Sequence, residues 1–144
     1  MVDKADPVIV VGSGLMGIGI AHAFASSGFS TTLIDTNADA LDKARSIIHG
    51  ILDGGVKLGK VSAEDAEAAK NRLITLERLA EAPADASLLV ETVSENLSIK
   101  QSVASEAAQL LSEDAIIATN TSALSVTEIA AVVANPERVI GMHF

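Results

Sequence analysis

At 144 residues the chain has the usual size of one domain, and 49% apolar residues allow it a real core. Aromatic residues are only 2%, so that core must be built from Ala, Val, Ile and Leu, and a base-stacking platform for single strands is poorly served. A formal charge of -9 argues against a nucleic-acid partner, and the absence of cysteine excludes disulfides, zinc-thiolate sites and a thiol nucleophile.

Asp3, Lys4 and Asp6 near the start speak against a signal peptide, and no apolar run approaches the ~20 residues of a membrane span. A cytoplasmic location without membrane attachment is the expectation. The run Pro7 to Val11 is apolar and mostly β-branched, which predicts a strand buried on both faces. Gly12-Ser13-Gly14-Leu15-Met16-Gly17 follows at once, then a small-residue helix from Ile18 to Ser27, with Gly28 as its stop. Thr31 to Asp35 predicts the second strand. Thr36 or Asn37 can cap a helix over 38–52, whose apolar positions keep helical spacing until Asp53-Gly54-Gly55 breaks it. Ser62 opens a helix to about Arg72. Further strands are predicted at 72–76, 87–91, 115–118 and 138–141, with a loop at 82–85. Ser94 is expected to cap a helix over 95–111, and Ser125 one that runs to Ala134 before Asn135-Pro136 ends it. Strands alternating with helices predict a doubly wound, mostly parallel α/β sheet with helices on both faces, in one domain spanning residues 1–144.

A lone G-x-G-x-x-G is weak, but this one follows a strand and opens a helix, and Asp35 ends the next strand roughly 20 residues on, as a Rossmann-type dinucleotide fingerprint requires. Gly12 permits the tight turn, Gly14 lets a diphosphate approach the backbone, and Gly17 lets helix and strand pack closely. The helix start offers free N–H groups and roughly half a positive charge. Asp35 can accept bonds from both hydroxyls of an adenosine ribose. A 2′-phosphate would be repelled there, and Thr36 and Asn37 offer no arginine, so NAD is expected over NADP. The alternative is a turn that merely packs, with Asp35 capping the following helix.

Ligands of open parallel sheets bind beyond the carboxyl ends of the strands. Glu95 and Lys100 follow one such strand, and Asn120, Thr121 and Ser122 follow another. Glu95 and Lys100 could equally dress a solvated helix, and the polar run could be an ordinary turn. His143 ends the last strand; His22 and His49 sit within helices.

Four motifs in one order (Gly12 to Ala21, Glu91 to Leu97, Asn120 to Ser122 and Pro136 to Phe144) resemble the N-terminal domain of L-3-hydroxyacyl-CoA dehydrogenases, over nearly the whole chain. The resemblance implies an NAD-dependent oxidoreductase of fatty-acid β-oxidation. It implies that Gly12 to Gly17 hold the diphosphate, that Asp35 holds the ribose, and that Glu95 and Lys100 contact NAD. It further implies that Ser122 lies beside the nicotinamide and the substrate 3-oxygen, and that His143 is the general base. In the family the motif continues with Phe-Asn-Pro and a glutamate that orients the histidine. A helical C-terminal domain then closes over the acyl-CoA substrate and forms a homodimer; this chain stops at Phe144 and is expected to bind NAD with little or no turnover alone. The family's CoA-contacting serine falls at Ile51, and the glutamine usual after Ile20-Ala21 is His22, which leaves Lys57 to meet a CoA phosphate. Two other readings stand beside this one: a non-catalytic NAD-binding or redox-sensing module, and a related dehydrogenase of a sugar acid or carnitine.

Overall fold

The computed structural model describes residues 6–144; Asp3 and Lys4, on which the signal-peptide expectation rests, lie outside the described residues. In chain order the elements are β1 (Val8–Val11), α1 (Leu15–Ser26), β2 (Thr31–Ile34), α2 (Ala38–Lys57), α3 (Ala63–Arg72), β3 (Leu73–Leu76), β4 (Leu88–Glu91), α4 (Leu97–Leu110), β5 (Ile116–Thr119), α5 (Val126–Ala130) and β6 (Val139–Gly141). The strands form one six-stranded sheet in the order β3-β2-β1-β4-β5-β6, and every pairing is parallel. This is the doubly wound order, and the chain changes direction between β1 and β4, where a crevice opens at the carboxyl edge.

The alternation of side chains along each strand divides the core in two. Val8 and Val10 of β1, with Leu33, pack under α1, α2 and α3 against Ile20, Ala21, Leu41, Ala44 and Ile48. Ile9 and Val11, with Leu89 and Ile117, pack on the other face against Ala104, Ala107 and Ile129. Both faces of β1 are covered, which is why its sequence reads as unbroken apolar residues rather than as an alternation. The register brings Val11 opposite Ile34 and Glu91, Ile34 opposite Leu76, Glu91 opposite Thr119, and Thr119 opposite Gly141. All six strands therefore finish in one row, and the loops that follow them share one edge.

Several element ends differ from the sequence expectation. Asp53-Gly54-Gly55 does not break α2, which continues to Lys57. Each glycine costs the helix up to about 1 kcal/mol, but Leu52 is buried and Val56 packs on the core, which holds the last turn in place. Gly55 also makes room for the returning chain: a Cβ there would meet Val61 Cγ2 at 3.1 Å. The helix stops instead before Gly59, at φ +66°. Helix α5 closes at Ala130 rather than Ala134, and Pro136 opens a 3-10 turn (Pro136–Arg138) instead of only ending a helix. A second 3-10 turn at Leu79–Glu81 has no counterpart in the sequence reading. The cap of α4 is Asn96, not Ser94: Asn96 Oδ1 accepts from Ile99 N at 3.1 Å and the helix begins at Leu97. This moves Glu95 out of the helix, with consequences for the site.

Candidate functional site: the carboxyl edge of the sheet

The glycine turn sits at the centre of this edge. Gly12 has φ +104°, a conformation that favours glycine. A Cβ on it would press on Thr92 Oγ1 at 2.7 Å and Thr92 O at 2.9 Å. Thr92 in turn donates its hydroxyl to Val11 O at 2.9 Å and Gly12 O at 3.1 Å, pinning the turn from β4. A Cβ on Gly17 would lie 1.8 Å from Gly12 O, so this glycine is the contact between helix and turn. Gly14 differs from both: a Cβ there would meet nothing within 4 Å. No internal packing requires a glycine at that position.

Helix α1 starts differently from the other α-helices. Among the described residues five α-helices occur. The caps Asn37, Ser62, Asn96 and Ser125 each accept a backbone N–H with their side chains, whereas α1 begins on Gly14 with no side-chain cap and no acidic residue in its first turn. Its leading N–H groups and the positive end of its dipole face outward, beside the exposed Leu15 and Met16.

A cavity of about 590 Å³ opens from this turn. It is lined by Gly12, Ser13 and Gly14, by Asp35 and Thr36, and by the apolar side chains of Val93, Ile99 and Val103. Asp35 is half-buried, and its carboxylate is already oriented: Oδ2 accepts from Ser13 N at 2.9 Å and Ser13 Oγ at 2.7 Å, and Oδ1 from Asn37 N at 3.0 Å. Burial pushes its pKa up, but the Ser13 hydroxyl and the two N–H groups outweigh that and leave it below the ordinary value. Three of about four acceptor sites are in use, so Asp35 can accept both ribose hydroxyls only if the Ser13 hydroxyl turns away.

Glu95 and Lys100 occupy places that the sequence did not suggest. Lys100 is 1% exposed, so it is neither solvated dressing nor open to a cofactor. Its ammonium donates to Glu91 Oε1 at 2.8 Å and Val93 O at 3.3 Å, and lies 3.5 Å from Glu95 Oε2. Glu95, freed from the helix, reaches across to the loop after β5. Its Oε1 accepts the Thr121 hydroxyl, Ser122 N at 3.2 Å and Ala123 N at 3.1 Å. The Thr121 hydroxyl foremost, then the loop N–H groups and Lys100, hold the Glu95 carboxyl down to about 2 against the opposing effect of desolvation.

The loop after β5 also receives the end of the chain. Met142 N donates to Thr119 O at 3.0 Å, and Phe144 N to Asn120 Oδ1 at 3.0 Å. His143 lies between these two anchors, which brings it to the loop that carries Ser122. Both side chains are exposed, and the His143 imidazole makes no hydrogen bond among the described residues. Lys57 is not brought to this edge. It ends a helix of 20 residues that starts beside Asp35, a separation of about 30 Å. Sequence reasoning missed Thr92, Glu91 and the cavity residues Glu77 and Arg78. Arg78 lies near Asp35, but its guanidinium pairs with Glu81 and is not a spare charge for a 2′-phosphate.

An open parallel sheet, a glycine turn under an uncapped helix at its switch point and a carboxylate at the end of β2 together define a dinucleotide-binding domain. Residues 7–144 match the family model described as 3-hydroxyacyl-CoA dehydrogenase, NAD binding domain. The chain belongs to that family, and NAD is the cofactor of the domain. It is 41% identical over its full length to a 3-hydroxyadipyl-CoA dehydrogenase of Escherichia coli K12, covering 30% of that protein. It is 38% identical over 135 residues, 94% of the chain and 46% of the relative, to a 3-hydroxybutyryl-CoA dehydrogenase of Bradyrhizobium diazoefficiens. The crystal structure of a 3-hydroxybutyryl-CoA dehydrogenase from E. coli K12 superposes with a TM-score of 0.93 at 41% identity, over 97% of this chain and 29% of that one. The chain thus spans between 29% and 46% of the length of these relatives. No helix among the described residues is long and apolar enough to cross a membrane.

Proposed function

We propose that NAD binds with its diphosphate at the start of α1 and its adenosine ribose at Asp35, in a protein that interconverts L-3-hydroxyacyl-CoA and 3-ketoacyl-CoA. The observation that carries this reading is the empty space over Gly14 beside the one α-helix among the described residues that lacks a side-chain cap. A glycine with no packing role and unsatisfied N–H groups beside it fit an anionic diphosphate. Bound there, NAD supplies the hydride acceptor, or as NADH the donor.

The chain's own residues supply the proton chemistry and the orientation. His143 takes the proton of the 3-hydroxyl at its imidazole, the side chain suited to proton exchange near neutral pH. Ser122 donates its hydroxyl to the 3-oxygen. The anchoring of Met142 and Phe144 to the loop of Ser122 supports placing these two groups at one reaction centre. Lys57 can serve only a distant part of the substrate, such as a CoA phosphate. Alone, the chain binds NAD with little or no turnover, because nothing among the described residues fixes the tautomer of His143. In the longer protein a helical domain closes over the acyl-CoA and forms a homodimer, and the location is cytoplasmic.

Calorimetric titration of the chain with NADH and NADPH tests the binding half. Clear preference for NADH is expected; no binding, or equal affinity for both, overturns it. Assay of the longer protein with acetoacetyl-CoA and NADH tests the chemistry, and no oxidation of NADH would refute the substrate class.

A further inference from the structure

Glu91 is a carboxylate at the last position of a central strand, 2% exposed. The proposed chemistry does not use it. Taking a carboxylate and an ammonium out of water is costly, and a buried ion pair is weak evidence for stability, since apolar residues of equal volume often do as well. Here about three of four acceptor sites are filled by the protein itself. Oε1 accepts from Lys100 Nζ at 2.8 Å and Val93 N at 2.7 Å, and Oε2 from Thr119 Oγ1 at 2.6 Å. Lys100 spends its three hydrogens on Glu91, Val93 O and the side facing Glu95. Glu95 then gathers Thr121, Ser122 and Ala123. One continuous run of polar contacts thus leaves β5 at Thr119, passes through β4 and the first turn of α4, and returns to the chain at Thr121, Ser122 and Ala123.

We propose that Glu91 is a positioning residue: with Lys100 as intermediary it sets the place of Glu95, and thereby the loop that presents Ser122. The proposal rests on the role given above to Ser122. Glu91 keeps the ammonium seated at the foot of the crevice. With that seat filled, Glu95 is attracted to Lys100 at 3.5 Å without being drawn off the loop. Without the Glu91 charge, Glu95 is the carboxylate left to Lys100 among the described residues, and the loop loses its acceptor.

Hydrogen exchange of the chain reads this directly. Glu91→Gln keeps the shape and removes the charge. Exchange at the Ser122 and Ala123 amides is expected to quicken about tenfold, the worth of one hydrogen bond, while amides of β1 stay protected. Unchanged exchange at these two amides overturns the proposal. The double variant Glu91→Gln/Lys100→Met replaces the buried pair with neutral groups and remains informative if the single variant fails to fold. Its stability and the slow exchange of the loop amides are both expected to recover, because no ammonium is left to draw Glu95 off the loop. Recovery of stability with the loop amides still fast would mean that Lys100 does not move Glu95, and would overturn the proposal. Ser122→Ala in the longer protein separates the two readings: full turnover there refutes the role of Ser122 and leaves the exchange result standing.

Discussion

Gly14 and Gly17 belong to one motif, and the structure predicts opposite outcomes on substituting them. At Gly14 the backbone has φ -71°, open to any residue, and a Cβ meets nothing within 4 Å. Losing a glycine from an N-cap costs up to about 1 kcal/mol, and the stiffer unfolded chain returns about 0.4–1 kcal/mol. Gly14→Val should therefore move the melting temperature by less than about 5 °C. Its methyl groups fill the space assigned to the diphosphate, however. Two charge-assisted bonds lost at about 1.5 kcal/mol each weaken NADH roughly 100-fold. At Gly17 the added Cβ lies 1.8 Å from Gly12 O, a backbone atom that cannot swing away. Gly17→Ala should cost about 3 kcal/mol, as severe overpacking does, and lower the melting temperature by roughly 10 °C. Thermal melts and calorimetric titration of both variants decide the matter. Unchanged NADH affinity in Gly14→Val removes the diphosphate from this turn; a collapsed melt in the same variant contradicts the empty space.

Asp35→Ala should weaken NADH more than NADPH, because the carboxylate rewards a ribose diol and repels a 2′-phosphate; equal losses by calorimetry would refute the ribose role. The Glu95 carboxyl is held down to about 2, so what it adds to stability is complete above its ordinary value near 4.5 and is lost as the pH falls towards 2. A carboxyl-carbon NMR titration of Glu95 with its midpoint near 4.5 would show the loop bonds to be weak in solution. Lys100→Met alone should destabilise the chain by about 3–5 kcal/mol, since Glu91 is left buried and unpaired; denaturant unfolding within 1 kcal/mol of the parent would contradict that. In the longer protein His143→Gln should lower turnover about 10²–10⁴-fold with NADH affinity preserved, and parallel loss of both would point to a structural part instead.

The fold was legible because its strands carry the signal themselves. Runs such as Val8 to Val11 and Leu88 to Val90 are apolar throughout, which only a strand covered on both faces requires. The order of strand, glycine turn, helix and strand then leaves little choice of topology. Element ends were less legible wherever tertiary packing outweighed local preference. Gly54 and Gly55 read as a stop because propensity is a local quantity, while the anchors that override it, Leu52 and Val56, act through contacts with other elements. The 3-10 turn at Leu79–Glu81 has no periodicity to betray it; it exists because Leu79 must reach the core beneath α4.

The site divides along the same line. Residues that would meet the cofactor through backbone or by absence of a side chain are visible in spacing alone, since Gly12, Gly14, Gly17 and Asp35 lie close in sequence on consecutive elements. Residues that act across strands are not. Glu95 and the Thr121–Ala123 loop are joined by a parallel register that pairs Glu91 with Thr119, and no local pattern encodes that register. One signal was nevertheless present: Asn96 is as good a cap as Ser94. Had Asn96 been taken as the cap, Glu95 would have fallen outside the helix, a carboxylate at the carboxyl edge of β4 with no helical reason to be there. The choice between two caps two residues apart thus decides whether Glu95 decorates a helix or reaches across two strands to hold the loop of Ser122.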